Sequence, residues 1–348
     1  MNQKPATIQD VARAAGVSTA TVSRALSAPE RVSEKTREQV AEAIRTTGYR
    51  LNKAARNLRK QQAGAVLVLA PNLGNPFFSQ ILAGISARFA DSDYSVLVAD
   101  TSLPEQEGKR LVDYFLDSRI DGMISLDGGL TPDQIADFEQ NGVADRIVFA
   151  CEWVQDAPYP SVRSDNGHGA RLAIRHLYDL GHRKIAHVTG PKGNVLTRAR
   201  REAVLAERQA LGLPMQEDWI IRGDFSLESG EAAASQIAAM PDRPTAVFCA
   251  SDMVAIGLVS GLRKVGLQVP EDISVVGFDD VEMAGFAAPP LTTIRQDRRQ
   301  LGTRAAERLL HRLKGKPVDA CPQIELVDIE LVTRASTAAP AKATLEQA

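Results

Sequence analysis

The stretch "TIQDVARAAGVSTATVSRAL" (residues 7–26) decides how the chain begins to fold. Thr7, followed three residues later by Asp10, has the form of a capping box, in which the carboxylate reaches back to a free amide of the first turn. Ile8, Val11 and Ala12 then form one apolar face, and Gly16 ends the helix. Ser18 is placed to cap a second helix by accepting from the amides of its first turn. At about 100° per residue, Val22, Ala25 and Leu26 turn inward on that helix, while Thr19, Ala20, Ser23 and Arg24 turn outward. Two short helices around a tight turn at Ala15-Gly16-Val17 form a helix-turn-helix, whose second helix enters the major groove of DNA. Arg24 suits a bidentate contact to guanine, and Thr19 and Ala20 suit a thymine methyl or an acceptor. Ser33 opens a third helix whose inward stripe is Val40, Ala43 and Ile44 and which ends at Gly48. A plain three-helix bundle used for protein contacts would show the same periodicity.

Charge shifts the balance between those two readings toward DNA, although a solvated basic surface would look similar. The 348 residues carry a formal net charge of −2, but residues 1–62 hold 12 Lys/Arg against 5 Asp/Glu, and the remaining 286 residues hold 29 against 38. A basic head on an acidic body points to a polyanionic partner for the head alone. Apolar residues make up 44% and charged residues 24% of the chain, an ordinary globular composition with no apolar run long enough for a transmembrane helix. The first ten residues lack the apolar core of a secretory signal, so the expected location is the cytoplasm, at the nucleoid. Three scattered cysteines (Cys151, Cys249, Cys321) and five scattered histidines give neither a disulfide framework nor metal-ligand spacing, and no cofactor is expected.

From residue 64 the pattern changes to strands alternating with helices. Strand-like runs occur at 65–70, 94–100, 122–126, 146–151, 184–190, 245–250 and 273–278, and apolar-striped helices at Phe78–Ala90 and Asp252–Val265 lie between them. Such alternation builds parallel sheets covered on both faces, and this much of it exceeds a single sheet. The expected fold class is therefore α/β: a helix-turn-helix head followed by two doubly wound parallel-sheet subdomains. Ligands of such sheets sit at the carboxyl ends of the strands. There the sequence places Asn75, Phe77, Asp127, Glu152, Trp153, Arg200, Ser251, Asp252 and Asp279. None of these forms a nucleophile–base pair, so a binding role is expected rather than catalysis.

The strings "TIQDVARAAGVSTATVSRAL", "VSEKTREQV" (32–40) and "GYRLNKAARNLR" (48–59) resemble the DNA-binding head of the LacI/GalR family of bacterial transcription regulators. The resemblance continues through "NPFFSQILAGI" (75–85), "PTAVFCASD" (244–252), "VPEDISVVGFDD" (269–280) and "PPLTTIRQ" (289–296), and several of these strings are similar to the cytidine-type nucleoside repressors within that family. It implies a head over residues 1–50 and a hinge helix and linker over 51–62. An effector-binding and dimerising body similar to periplasmic sugar-binding proteins then covers 63–336, with crossings near 162–165 and 290–295. Residues 337–348 are expected to be a disordered tail. The resemblance further implies a homodimer on a palindromic operator, with Thr7, Ser18, Thr19, Ala20, Thr21, Ser23, Arg24, Asn52, Ala55 and Leu58 at the DNA. Arg200 occupies the position of the family's effector-binding arginine, Asp279 that of the aspartate that takes sugar hydroxyls, and Phe225 that of an aromatic which stacks on the ligand. Glu152 and Ser251 match further polar lining positions, and Asn75, Phe77 and Trp153 complete the expected effector site. Phe225 and Trp153 would suit a flat base, and Arg200 and Asp279 ribose hydroxyls. A pentose or other sugar is the alternative effector, and a sugar-binding module without DNA activity the more distant alternative. Two positions depart from the family pattern: Ala203 replaces a Gly behind Arg200, and Leu51 stands where a Pro commonly precedes Asn52.

On a helix, "KAARNLRK" (53–60) puts Lys53, Arg56, Asn57 and Lys60 on one side and Ala54, Ala55 and Leu58 on the other. Leu58 resembles the hinge leucine of the family, which wedges between base steps in the minor groove and kinks the duplex. Two turns of helix are marginal alone, so this helix is expected to form on DNA beside its dimer mate. Leu58→Ala should weaken specific operator binding and reduce DNA bending in a gel-phasing assay while leaving effector affinity unchanged. Wild-type bending and affinity in that variant would make the segment a plain tether.

Overall fold

The structure is a computed structural model that describes residues 6–50, 57, 62–103, 110–315 and 323–341. It divides into two compact units, Met1–Ala63 and Gly64–Ala348. The hinge residues Asn52, Ala55 and Leu58 lie outside the described residues.

The head is built from α1 (Ile8–Ala15), α2 (Thr19–Ser27) and α3 (Glu34–Thr47). Each start is satisfied locally. Asp10 Oδ2 accepts from the Thr7 amide at 2.9 Å and its hydroxyl at 2.7 Å, and Ser18 Oγ accepts from the Thr21 amide at 3.1 Å. Gly16 and Gly48 end α1 and α3 with φ of 67° and 66°, left-handed conformations that cost glycine little. Val11, Ala12, Val22, Val40 and Ala43 are buried together, with Ile8, Val17, Ala25, Leu26 and Ile44 packed around them. One short stripe from each helix thus makes the whole core of the head.

The body holds two six-stranded sheets. The first runs β11-β5-β4-β3-β1-β2, with β1 Ala65–Ala70, β2 Ser95–Asp100, β3 Gly122–Ser125, β4 Ile147–Ala150, β5 Ser161–Ser164 and β11 Ile324–Val327. The second runs β12-β10-β9-β8-β6-β7, with β6 Ile185–Val188, β7 Ile220–Ile221, β8 Ala246–Cys249, β9 Ser274–Asp279, β10 Thr292–Gln296 and β12 Ile329–Val332. All pairings are parallel except β10 with β12. Central strands such as "AVLVLA" are buried at every residue, as a sheet covered on both faces requires. Counted within its own subdomain, each sheet has the doubly wound order 2-1-3-4-5-6, the sixth strand being β11 or β12, and this order opens a crevice at the carboxyl ends where it reverses.

The covering helices pack close. A Cβ on Gly302 would lie 2.0 Å from the Ile81 carbonyl oxygen, and one on Gly84 would lie 2.2 Å from that of Arg299. The helices Phe77–Phe89 and Arg298–Leu313 therefore touch backbone to backbone, and only glycine permits that contact.

The chain crosses between subdomains three times, and each crossing is a single aspartate. Asp165 follows β5, Asp297 follows β10, and Asp328 separates β11 from β12. Asp165 and Asp297 cap the helices that begin immediately after them, accepting from the amides of His168 and Gln300 at 2.8 Å each. This corrects the expectation of two crossings near 162–165 and 290–295: the second lies at 297, and a third at 328 joins the two copies of "IELV". The tail expectation is also corrected over its described part. The Ala338 carbonyl accepts from Ser274 Oγ at 3.0 Å and lies 2.8 Å from His182 Nε2, and Thr337 Oγ1 lies 3.0 Å from His176 Nε2. The described part of this stretch docks by hydrogen bonds rather than by apolar burial.

Candidate functional site

Two surfaces carry the chemistry. On α2, Thr19, Ala20 and Arg24 are exposed, while Thr21 and Ser23 are half-buried at its edge. Thr7 and Ser18 are exposed at the starts of α1 and α2, where their side chains also cap. Arg24 makes no ion pair among the described residues, which leaves its guanidinium available to a base or a phosphate.

In the body, Asn75, Phe77, Phe78, Cys151, Glu152, Leu196, Arg200, Phe225, Ser251 and Asp279 surround one cavity of about 40 Å³. Each arrives at the carboxyl end of a strand or in the loop or helix that follows. Asn75 Oδ1 accepts from the Phe77 amide at 3.0 Å, which turns Phe77 into the wall beside Phe78; the two rings meet edge to face at 5.1 Å. Ser251 Oγ accepts from the Val254 amide at 3.2 Å and so caps the helix Asp252–Lys264.

Arg200 is 2% exposed, and three contacts offset its burial. Nε donates to Asn166 Oδ1 at 2.8 Å, Nη1 donates to the Ala250 carbonyl, and the guanidinium lies 3.7 Å from the centroid of the Phe278 ring. Desolvation pulls its pKa down, while Asp279, Cys151 and Glu152 act against that pull. Asp279 is raised to about 6, chiefly by burial, against the opposing influence of Arg200 and of Gln296, whose Nε2 donates to Oδ1 at 2.7 Å. Behind it Asp252 is fully buried and pushed well up by desolvation and by Asp279; Thr293 Oγ1 donates to it at 2.5 Å and the Val281 amide at 2.8 Å. Glu152, also raised by burial, bridges the subdomains: Asn194 Nδ2 donates to Oε1 at 2.8 Å and the Gly128 amide to Oε2 at 3.0 Å. Burial raises the Cys151 thiol well above its usual range, which keeps it protonated and poorly nucleophilic.

Three lining residues hold backbone conformations that favour glycine: Cys151 (φ 67°), Phe225 (φ 70°) and Asp279 (φ 123°). Strain of this kind gathers at ligand sites, where the surrounding structure enforces it.

Trp153 is a correction. It does not line the cavity but faces a separate groove with Gln155, Val195, Arg198, Ala199 and Glu202. The left-handed turn at Cys151 sends Glu152 inward and Trp153 outward, where the Arg163 guanidinium stacks 3.9 Å from its ring centroid. Asp127 also stays outside the cavity, accepting from Thr101 Oγ1 at 2.5 Å. Phe78, Cys151 and Leu196 were missed. Leu196 lies four residues before Arg200 on one helix face, a spacing the sequence does show.

The sequence pattern described as "Bacterial regulatory proteins, lacI family" matches residues 7–52, and that of a "Periplasmic binding protein-like domain" matches residues 174–337. The HTH-type transcriptional repressor CytR of Escherichia coli (strain K12) is 38% identical over 334 residues, covering 96% of this chain and 97% of that protein. The HTH-type transcriptional repressor PurR of Aliivibrio salmonicida (strain LFI1238) is 32% identical over 332 residues, covering 95% and 98%. The crystal structure of the lac repressor dimer bound to operator and the anti-inducer ONPF superposes with a TM-score of 0.83 at 34% identity, covering 97% of this chain and all of that one. The protein is thus a helix-turn-helix regulator with a periplasmic-binding-protein-like body. It belongs to the LacI family of bacterial regulatory proteins, and it acts as a DNA-binding transcriptional repressor and not as an enzyme.

The buried carboxylate gives a pH signature. The pKa of Asp279 is near 6 in the folded body and about 4 once unfolded, so between those values only the native state keeps its proton. The stability of the wild type relative to Asp279→Asn should therefore fall as pH rises from about 4 to about 6 and stay level above that. Urea midpoints of the two proteins across this range test it.

Proposed function

We propose that this repressor binds a palindromic operator as a homodimer in the cytoplasm, at the nucleoid, and that a nucleoside in the body cavity controls its affinity for that operator. Thr19, Ala20, Ser23 and Arg24 of α2 read base edges, with Thr7, Ser18 and Thr21 beside them at the helix starts. Asn52, Ala55 and Leu58 meet the minor groove. A symmetric dimer places two such heads on two half-sites. Both subdomains display apolar side chains that a dimer would cover: Leu97 and Val98 on the edge strand β2 are 40% and 44% exposed, and Phe286 after β9 is 90% exposed.

The observation that carries the effector reading is the pairing of walls in one cavity. Phe77, Phe78 and Phe225 supply aromatic surface, while Arg200, Asp279, Glu152, Ser251 and Asn75 supply donors and acceptors. A nucleoside has the same division, with a flat base and a hydroxylated ribose. Ligand-sized pockets hold about 300–1,000 Å³, so filling this one requires its walls to move. Because residues of both subdomains form those walls, the ligand favours one arrangement of the two, and operator affinity changes with it.

Mobility shift of a palindromic promoter fragment, with and without cytidine or adenosine, tests the whole reading. A sequence-dependent shift that responds to nucleoside is expected; absence of any sequence-dependent shift at moderate salt would contradict it. Arg24→Ala should lower operator affinity about tenfold or more and leave the nucleoside-induced rise in melting temperature intact.

A further inference from the structure

The helix face that brings Leu196 and Arg200 to the cavity also carries Thr197, one turn before Arg200. Thr197 is 4% exposed. Its amide donates to Asn194 Oδ1 at 3.1 Å, but its hydroxyl has no hydrogen-bond partner among the described residues. A buried hydroxyl in that condition has given up water and received nothing in exchange, and such a group calls for a reason.

Phe225 lies beside that hydroxyl. A Cβ on Gly190 would lie 2.3 Å from Phe225 Cζ and 2.4 Å from Thr197 Oγ1, so ring tip and hydroxyl converge on the same glycine. Phe225 reaches this place only with a φ of 70°, a conformation that a bulky side chain adopts rarely. The other two aromatic walls, Phe77 and Phe78, are each 6% exposed and packed into the core, whereas Phe225 is half-buried and sits on a loop. With about 40 Å³ of open space, the cavity admits a ring only if a wall yields, and Phe225 is the wall least held.

We propose that Phe225 plugs the effector cavity and that the Thr197 hydroxyl is a latent effector contact which its movement uncovers. A planar heterocycle enters against the displaced Phe225 ring, and Thr197 Oγ1 then meets a carbonyl or amino group on its edge, completing the hydrogen bond that the hydroxyl lacks. Arg200, one turn further along the same face, serves the polar side of the same ligand. This role rests on the nucleoside reading above, and it assigns the base-recognising hydroxyl to Thr197. A bare pentose has no heterocycle edge to present there.

Calorimetric titration of the full-length protein with cytidine and with ribose tests the proposal. Thr197→Val keeps the shape and removes the hydroxyl. It should weaken cytidine binding about tenfold and leave ribose and operator affinities unchanged. The urea midpoint measured without nucleoside should be equal or higher, because an unsatisfied group has been removed. Thr197→Ser should restore most of the cytidine affinity. Unchanged cytidine affinity in Thr197→Val, where the wild type binds cytidine, overturns the role of Thr197 alone. A lowered urea midpoint with no rescue by serine overturns it in favour of a packing role. Wild-type protein that binds ribose but not cytidine, or neither, overturns the nucleoside reading and this role with it.

Discussion

Three single-residue crossings, Asp165, Asp297 and Asp328, join the two sheets of the body, and the cavity exists because of them. One residue spans at most about 3.6 Å, so the subdomains can rotate about these joints but cannot drift apart. Both sheets share one strand order, so the loops after β1, β4, β6, β8 and β9 converge from opposite sides on one space. Rotation about fixed joints would change the shape of that space, so that in the proposed reading a ligand filling it favours one arrangement of the subdomains. Two of the three joints also start a helix, which ties the direction of each crossing to the cap formed by its aspartate.

Within the cavity the energetics centre on charge removed from water. Arg200 is buried among Asp279, Glu152 and Asp252, and the balance is struck by hydrogen bonds from Gln296, Thr293, Asn194 and backbone amides. Burial of this kind is poor evidence for stability, since desolvation offsets much of the attraction. It does create a site with fixed donors and acceptors and a low local dielectric, which suits the hydroxylated ligand proposed above. Residues with left-handed backbone at Cys151, Phe225 and Asp279 show the same compromise in conformational terms.

Local signals were the most legible in the sequence. The caps at Thr7, Ser18 and Ser33 and the stop at Gly16 depend on residues three or four apart, and the head follows from them. Strands buried on both faces, such as "AVLVLA" and "AVFC", announce themselves by unbroken apolar runs. The strands "SVRS", "TTIRQ" and the doubled "IELV" do not, because polar and charged residues interrupt their apolar runs. The third crossing was hidden for that reason. Asn75, Glu152, Arg200 and Asp279 could be placed near one another because strand ends converge in any doubly wound sheet. The direction of a side chain could not: Trp153 adjoins Glu152 in sequence, yet the turn at Cys151 and the stacking of Arg163 aim it elsewhere. Backbone strain, the unpaired hydroxyl of Thr197 and the small volume of the cavity have no trace in composition or periodicity.

The central claim is that occupancy of the cavity and affinity for operator are one linked equilibrium. Linkage makes the coupling reciprocal, so whatever factor the effector applies to operator affinity, operator applies to effector affinity. The most direct measurement is the cytidine dissociation constant of the protein alone and of the protein saturated with a palindromic operator. The two constants should differ, by the same factor by which saturating cytidine changes operator affinity. Equal constants would contradict the account.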